Sequence, residues 1–462
     1  MPAPESVDAL ILGSGQAGKP LALALARAGW KTVLVEREHV GGTCINVGCT
    51  PTKTMVASAR VAYLARRAAD YGVRTGPVQV DMPRVRERKR AIVERFRSYG
   101  TRRLQGTPNV ELVFGHARFA DATMVDVQLN DGGTRRITAP KIVINTGGRP
   151  AKPPIPGLAD VPALDSTSVM ELDEVPRHLV VLGGGFIGLE FAQMFRRFGA
   201  EVTVLEGMSR LAARDDEDVG AALRKVLEED GIRIECGAQV QRVDGAAGDI
   251  GVHFERDGAT QAVRGSHLLV SVGRKPNTED LNLAAAGVAA ERGFIVVDDT
   301  LQTDVPGIYA VGDVKGGPQF THISYDDFRI LRDRWLHGRD ARVGDRLVPN
   351  TVFTDPQLAS VGLNETEARR RGLEFRVAKI GMNGIARALE TSESRGFLKV
   401  IVDAKTGQIL GCTVFGIEGG EIMSMLQIAM IGKLPYPVLK EAIFAHPTLA
   451  EGLNNVFLAL DG

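Results

Sequence analysis

The strongest constraint on the fold is an internal repeat. Residues 9–36 and 179–206 share one layout, and corresponding positions lie 170 residues apart. Each copy has an apolar strand, a Gly-x-Gly-x-x-Gly turn, an apolar helix and a second strand that ends in glutamate. The glycines are Gly13, Gly15 and Gly18 in the first copy and Gly183, Gly185 and Gly188 in the second. This pattern predicts an α/β fold with two Rossmann-like dinucleotide-binding domains.

These residue types suit a bound dinucleotide. The first glycine permits the tight turn, the second lets backbone N–H groups approach a pyrophosphate, and the third lets helix and strand pack closely. The helix N-terminus then faces the phosphates. Glu36 and Glu206 end the second strands, where a carboxylate can accept hydrogen bonds from an adenosine ribose. Two such units favour nucleotide sites over ordinary glycine turns.

Cys44 and Cys49 follow the first unit and are separated by four residues. A disulfide closing so short a loop removes little unfolded-chain entropy, so electron transfer explains the pair better than stabilisation. A helix after Gly48 would place its N-terminal dipole near the thiols and favour thiolate. The alternative is a two-thiolate metal site, but zinc usually needs four ligands and no second cysteine pair exists. Cys236 and Cys412 are predicted core residues.

Glycine- and proline-rich stretches mark the predicted domain crossings, at 146–156 and 273–277. A predicted strand at 308–311 ends in Gly312-Asp313, which places a carboxylate where open α/β sheets hold their ligands. After residue 343, two β-like runs precede helices, which predicts a separate α+β domain. These runs are 396–402 and 408–415.

Composition argues against several classes of partner. Lysine plus arginine number 56 and aspartate plus glutamate also 56, so no global field attracts nucleic acid or an anionic membrane. The arginine-rich stretch 84–97 is interleaved with Glu87 and Glu94, which predicts a solvated helix face. No run of about 18 apolar residues and no secretory leader is evident, so we expect a cytoplasmic protein without a membrane span.

His446 and Glu451 lie five residues apart near the end of the sequence. The carboxylate can orient the imidazole and raise its basicity, which suits the proton transfers of thiol–disulfide exchange. By spacing alone, an ordinary surface histidine is favoured.

Together these motifs resemble the class I pyridine nucleotide-disulfide oxidoreductases, the family of dihydrolipoamide dehydrogenase, glutathione reductase and mercuric reductase. The resemblance covers essentially the whole chain. Its motifs are residues 44–53, both glycine loops, Thr146-Gly147-Gly148, residues 307–313, and His446-Pro447-Thr448 with Glu451.

The resemblance implies FAD on the first glycine loop, with Glu36 at its adenosine ribose and Asp313 at its ribityl chain, and NAD(P)H on the second. It also implies a division of the chain into 1–150 for FAD, 151–275 for NAD(P)H, 276–343 for FAD again, and 344–462 for dimerisation. The remaining cofactor-binding positions that it implies are Gly42, Thr43, Thr146, Gly147, Gly273 and Gly312.

The resemblance assigns roles to the catalytic residues as well. Cys49 would be the flavin-proximal thiol of the charge-transfer pair, and Cys44 the interchange thiol that attacks substrate. Lys53 would pair with Glu190 beside the flavin. The proton handlers, His446 and Glu451, would come from the partner subunit, so the resemblance implies a homodimer with shared active sites.

Glu206 bears on the choice of nicotinamide. A carboxylate there accepts from a ribose 2′-OH and repels a 2′-phosphate, which favours NADH over NADPH. Arg210 and Arg214 follow nearby, and they either soften that preference or are solvated helix-flank charges.

Departures from the family patterns bear on the electron acceptor. Thr52 stands where glutathione-type reductases usually have lysine, and residues 41–57 and 320–330 resemble the mercuric-reductase-like and copper-reductase-like bacterial group. Against a dedicated mercuric reductase stand His446 in place of tyrosine and a chain end, Leu460-Asp461-Gly462, without a cysteine pair.

The predicted function is electron transfer from NAD(P)H, with NADH favoured, through FAD and the Cys44–Cys49 redox disulfide. The predicted acceptor is a small-molecule disulfide or a thiophilic metal ion. Dihydrolipoamide dehydrogenase is the first alternative. A redox sensor or docking component of a larger complex is the second.

Overall fold

The structure, a computed structural model, describes residues 4–460, except for the side chain of Asp345. Asp461 and Gly462, where the sequence lacks a cysteine pair, lie outside the described residues. The chain divides into two compact units. The first contains residues 4–54, 84–151 and 273–346, and the second contains 55–83, 152–272 and 347–460.

Helices occur in both units. They are α1 (Gly18–Arg27), α2 (Gly42–Asn46), α3 (Cys49–Arg66), α4 (Met82–Gln105), α5 (Phe186–Phe198), α6 (Glu217–Glu229), α7 (Leu283–Ala286), α8 (Thr321–His337), α9 (Glu365–Arg370), α10 (Ala386–Glu390), α11 (Gly419–Ile431), α12 (Tyr436–Lys440) and α13 (Gly452–Leu458). Among the described residues, none of these helices is long and apolar enough to cross a membrane.

Strands also occur in both units. They are β1 (Glu5–Ser6), β2 (Ala9–Leu12), β3 (Thr32–Glu36), β4 (Val110–Phe119), β5 (Met124–Leu129), β6 (Thr134–Thr138), β7 (Ile142–Ile144), β8 (Gly148–Pro150), β9 (His178–Leu182), β10 (Glu201–Glu206), β11 (Arg233–Cys236), β12 (Gln239–Ala246), β13 (Asp249–Arg256), β14 (Ala259–Gly265), β15 (His267–Val270), β16 (Arg274–Pro276), β17 (Ala290–Glu291), β18 (Phe294–Ile295), β19 (Ile308–Ala310), β20 (Asn350–Val352), β21 (Gln357–Gly362), β22 (Phe375–Gly381), β23 (Phe397–Asp403) and β24 (Ile409–Gly416).

The first unit is organised around a sheet in the order β1-β6-β5-β4-β3-β2-β7-β19. Strands β3, β2, β7 and β19, at one end of this sheet, are parallel, and Leu10 lies between Val33 and Ile142 in register. Strands β2, β7 and β19 are buried along their whole length, because a parallel sheet is covered on both faces and favours continuous apolar runs. The strand predicted at 308–311 is confirmed, one residue shorter.

The two predicted crossings meet in the first unit. Strands β8 and β16 form an antiparallel pair in which Gly148 lies opposite Pro276. The N–H of Ala151 also donates to the carbonyl of Gly273 at 3.0 Å. The points where the chain leaves and re-enters this unit are therefore held together by backbone hydrogen bonds.

The second unit contains the second copy of the repeat and an antiparallel region. The parallel sheet β11-β10-β9-β15 follows the repeat, and β12, β13 and β14 form a separate antiparallel sheet. Residues from 347 onward form the five-stranded antiparallel sheet β20-β21-β24-β23-β22, which packs with α11 and α13 around an apolar core. The predicted α/β class and the α+β C-terminal region are confirmed; the four segment boundaries stay a prediction.

A buried lysine ties that antiparallel sheet to the nucleotide fold of the second unit. The Lys399 side chain, on β23, is 3% exposed, and its ammonium lies 2.9 Å from Asp216, 3.0 Å from Asp218 and 2.5 Å from Glu365. Although burial lowers the pKa of Lys399, its hydrogen bonds to Glu365 and the two aspartates raise that pKa by more. The lysine therefore stays charged in the core.

We expect Lys399→Met to reduce the free energy of unfolding of the second unit by about 3 kcal/mol, because it leaves partly buried carboxylates without their cation. Urea unfolding followed by circular dichroism measures this change. Lys405→Met is the matched control, because Lys405 is 73% exposed where it pairs with Glu374. Its expected loss is below about 1 kcal/mol, and equal losses in the two variants would contradict the prediction.

Candidate active site

The first glycine loop packs against the end of β7 more closely than any side chain would allow. Gly13 has a φ of +107°, and a Cβ there would lie 2.3 Å from the carbonyl oxygen of Asn145. A Cβ on Gly18 would lie 2.1 Å from the carbonyl oxygen of Gly13. The loop thus leads directly into the N-terminus of α1, where backbone N–H groups can meet phosphates.

Asn145, which sequence reasoning missed, holds this loop in place. Its buried side chain accepts a hydrogen bond from the N–H of Gly18 at 2.8 Å and donates to the carbonyl of Val311 at 3.0 Å. One amide therefore joins the start of α1 to the end of β19. The available sequence signal was a polar residue directly after the apolar run of β7, since a buried amide needs partners.

Glu36 is oriented at the mouth of the same loop. One carboxylate oxygen accepts from the N–H of Ser14 at 3.0 Å and from its hydroxyl at 2.5 Å, and the other accepts from the N–H of Glu38 at 3.0 Å. The Ser14 hydroxyl oxygen in turn accepts from the N–H of Gly41 at 3.0 Å. A carboxylate fixed at the end of β3 suits the ribose of a dinucleotide.

Asp313 provides a second carboxylate at this edge of the sheet. It follows β19, and burial raises its pKa while the charge of Arg274, 3.6 Å away, lowers it. A largely buried carboxylate needs hydrogen-bond donors, which the hydroxyl groups of a ribityl chain supply. With the glycine loop and Glu36, these residues fit FAD.

Thr146, Gly147 and Gly273 are further predicted cofactor-binding residues of the first unit. Thr146 donates from its hydroxyl to the carbonyl of Asn277 at 2.8 Å, and the carbonyl of Gly147 accepts from the N–H of Asn277 at 3.0 Å. Gly273 has a φ of +133°, a backbone conformation that favours glycine.

The cysteine segment folds back onto the glycine loop. Cys44 lies in the short helix α2 and Cys49 is the first residue of α3. Gly42 has a φ of +62°, and a Cβ there would lie 2.7 Å from the Cα of Gly15. The Thr43 hydroxyl lies 3.4 Å from the carbonyl oxygen of Gly148. The first unit thus places both cysteines beside the predicted FAD loop.

Both cysteines are present as thiols, with Cys44 half-buried and Cys49 exposed. A hydrogen bond with Cys49, then burial and the charge of Cys49, raise the pKa of Cys44, whereas Thr321 and Lys53 act in the opposite direction. The Cys49 sulfur lies 3.2 Å from the Thr321 hydroxyl, at the start of α8. The thiols therefore ionise one at a time, and Thr321 joins the predicted site residues at the dithiol.

The second glycine loop repeats the design of the first inside the second unit. A Cβ on Gly183 would lie 2.7 Å from the carbonyl oxygen of Ser271, and one on Gly188 would lie 2.0 Å from the carbonyl oxygen of Gly183. Gly185 is the residue before α5. Glu206 accepts from the N–H of Gly184 at 2.6 Å.

The Arg210 side chain makes hydrogen bonds to backbone carbonyls close to it in sequence. Its guanidinium donates to the carbonyls of Ala212, Ala213 and Asp215 at 2.9, 3.0 and 2.6 Å. It therefore stabilises its own turn. Arg210 is thus bound to backbone carbonyls and is not the solvated helix-flank charge that was one of its two alternatives.

His446 and Glu451 form the predicted pair. The Nδ1 atom of His446 lies 2.9 Å from one carboxylate oxygen of Glu451, and the N–H of Thr448 donates to the other at 3.1 Å. These hydrogen bonds, that of His446 first, lower the pKa of Glu451. Because the His446 side chain is 70% exposed, its other ring nitrogen is open to a reaction partner.

Lys53 and Glu190 belong to different units, and their pairing stays a prediction. Lys53 lies on α3. Glu190 is a buried residue of α5, and its carboxylate accepts from the N–H of Phe353 at 2.9 Å. Of the two other cysteines, Cys412 is buried in β24 as predicted, whereas Cys236 at the end of β11 is half-buried.

Comparison with known proteins places these features in a family. Residues 7–327 match the model of the pyridine nucleotide-disulphide oxidoreductases, and residues 348–457 match the dimerisation domain of the same family. The chain is 39% identical over 455 residues to the probable pyridine nucleotide-disulfide oxidoreductase RclA of Escherichia coli K12, covering 97% of this chain and 98% of RclA. It is also 36% identical to a mercuric reductase of Bacillus cereus, covering 98% of this chain and 71% of that protein.

A solved structure agrees in fold. The HOCl-induced flavoprotein disulfide reductase RclA from Escherichia coli, solved as a Cu(II) complex, superposes with a TM-score of 0.89 and 38% identity over 98% of this chain and 99% of that one. The dimerisation domain supports a homodimer. The chain therefore belongs to the pyridine nucleotide-disulphide oxidoreductase family, and it is a flavoprotein disulfide reductase that depends on FAD and NAD(P)H.

Proposed function

We propose that this enzyme uses NADH to reduce a thiophilic metal ion or a small disulfide through the Cys44–Cys49 pair. The observation that carries the proposal is the position of the two thiols on α2 and α3, in a segment that packs against the first glycine loop. The first glycine loop, Glu36 and Asp313 would hold FAD, which would supply two-electron transfer between the nicotinamide and the cysteine disulfide.

The two thiols are suited to different tasks. Cys49 opens α3, where the helix dipole favours a thiolate. The pKa of Cys44 is raised, first by its hydrogen bond with Cys49, so its proton needs a base before the sulfur can attack. We assign that base to His446, oriented by Glu451 and supplied by the partner subunit in the homodimer. A monomer would then lack a complete site.

The electrons balance for each class of acceptor. Oxidation of the two thiolates to the Cys44–Cys49 disulfide releases two electrons. One Hg(II) takes both, two Cu(II) ions take one each, and a disulfide takes both together with two protons. The similarity to RclA and to several mercuric reductases supports a metal-ion acceptor for this chain.

Dihydrolipoamide oxidation is the second candidate. The chain is 32% identical to dihydrolipoyl dehydrogenase of Bacillus subtilis, covering 98% of both chains. The hydrogen bond between His446 and Glu451 also suits deprotonation of a dithiol substrate. Co-purification with an acyltransferase core would instead favour a docking component of a larger complex.

We expect anaerobic NADH to bleach the flavin, and the correct acceptor among lipoamide, glutathione disulfide, Hg(II) and Cu(II) to restore its absorbance. Cys44→Ser is expected to reduce turnover with that acceptor at least about 1,000-fold, because the attacking sulfur is lost. Direct electron transfer from flavin to a dye does not need the dithiol and should persist. Stopped-flow absorbance measures both.

Cys236→Ser is the control for this variant, because Cys236 is another partly buried thiol but lies outside the pair, at the end of β11. Its turnover should equal that of the unmodified enzyme. Full turnover of Cys44→Ser with every acceptor would refute the proposed electron path.

We expect Glu206→Ala to reduce the NADH-to-NADPH ratio of kcat/KM about 10- to 100-fold, since the carboxylate that accepts from a ribose hydroxyl is lost. Steady-state kinetics with both nicotinamides measure the ratio. Glu201→Gln, at the exposed start of the same strand β10, is the control. An unchanged ratio in Glu206→Ala would show that another group selects the nicotinamide.

We expect Glu451→Gln to lower kcat about 10- to 100-fold with the physiological acceptor, because His446 loses the partner that orients it. Because the pKa of Glu451 is lowered, its carboxylate stays ionised even at acidic pH within its usual titration range, so the defect should persist from about pH 5 to pH 8. Glu441→Gln, at a 74% exposed side chain, is the control. A defect confined to acidic pH would contradict the assigned role.

A further inference from the structure

Helix α8 carries a fully buried carboxylate at Asp327, which is 0% exposed. One of its oxygens accepts a hydrogen bond from the N–H of Gly312 at 2.7 Å and lies 3.5 Å from the ammonium of Lys315. The other oxygen contacts the guanidinium of Arg346. This aspartate belongs to the Thr-His-Ile-Ser-Tyr-Asp-Asp stretch, to which the proposed reaction gives no role beyond Thr321.

Two of the contacts of Asp327 lie on one turn, the short helical turn Gly312–Lys315 that follows β19 and carries Asp313. Gly312 has a φ of +72°, and a Cβ there would lie 2.8 Å from the hydroxyl of Ser324 on α8. The turn therefore lies directly against α8. Asp327 contacts both ends of the turn, namely the backbone N–H of Gly312 and the ammonium of Lys315.

The charges around this turn are balanced. The side chains of Lys315 and Arg346 are only 8% and 9% exposed, so each needs a carboxylate nearby. A second carboxylate, that of Asp326, lies 2.7 Å from Arg346. The cluster contains three anions and three cations, namely Asp313, Asp326, Asp327, Arg274, Lys315 and Arg346.

Lys315 lies within the electrostatic reach of both Asp313 and Asp327. Its charge lowers the pKa of Asp313, whereas the charge of Asp327 raises it. Without Asp327, the buried ammonium would have Asp313 as its remaining carboxylate partner on this turn. Pairing of Lys315 with Asp313 would then occupy the oxygens that a ribityl hydroxyl needs.

We propose that Asp327 is a positioning residue for the flavin: by holding Gly312 and Lys315, it keeps the Asp313 carboxylate available to the ribityl chain of FAD. The inference rests on the proposed role of Asp313 in FAD binding. It assigns the buried aspartate of α8 to cofactor retention rather than to general stability.

The test is a titration of the full-length apoprotein with FAD, in which quenching of flavin fluorescence reports binding. We expect Asp327→Asn to weaken FAD binding about 10- to 100-fold, because a buried charge partner is lost. Adding Lys315→Gln to that variant removes the competing ammonium and should restore affinity to within about tenfold of the unmodified protein. If Asp327→Asn does not fold, as judged by circular dichroism, the double variant alone is compared with the unmodified protein, and a larger loss overturns the proposal.

Asp333→Asn is the matched control, because Asp333 lies on the same helix and pairs with Arg332 and Arg339 instead. Its FAD affinity should stay within about twofold of that of the unmodified protein. Normal FAD affinity in Asp327→Asn, or a loss that Lys315→Gln does not relieve, would show that Asp327 is purely structural. Unchanged binding by Asp313→Asn would instead refute the role of Asp313 itself, so the two failures are distinguishable.

Discussion

The close approach of the first glycine loop to the end of β7 is the constraint on which the first unit depends. A Cβ at Gly13 or Gly18 would overlap backbone oxygens at 2.3 and 2.1 Å. This contact brings the N-terminus of α1 to the carboxyl end of the parallel sheet, where Asn145 links it to β19. Cys44 lies in a short helix whose first residue, Gly42, packs on this loop, so the loop also positions the cysteine segment.

Two carboxylates complete this region in different ways. Glu36 is held by neutral hydrogen-bond donors, the backbone N–H and hydroxyl of Ser14 and the N–H of Glu38. Asp313 instead lies among charged side chains, including Arg274 and Asp327. Each buried charge in this cluster needs a partner of opposite sign, so loss of one charge changes how the remaining charges pair.

Local patterns predicted much of the molecule. The repeat around Gly13 and Gly183 predicted both nucleotide folds, because a turn that admits only glycine leaves a regular spacing in the sequence. Asn145 and Thr321 were not assigned to the site, because an asparagine or a threonine has no distinctive spacing, and their partners lie 127 and 272 residues away in sequence. Cys236 is less buried than its apolar neighbours predicted.

The duplicated α/β fold, the spacing of the cysteine pair and the family resemblance can all be read from the sequence, since each depends on short spacings that local geometry demands. Which residues surround those motifs depends on the folded chain. It joined Asp327 to Gly312, committed Arg210 to the carbonyls of its own turn, and placed Thr321 against Cys49. The physical reason is that hydrogen bonds and buried ion pairs depend on distances in space, which chain folding alone sets.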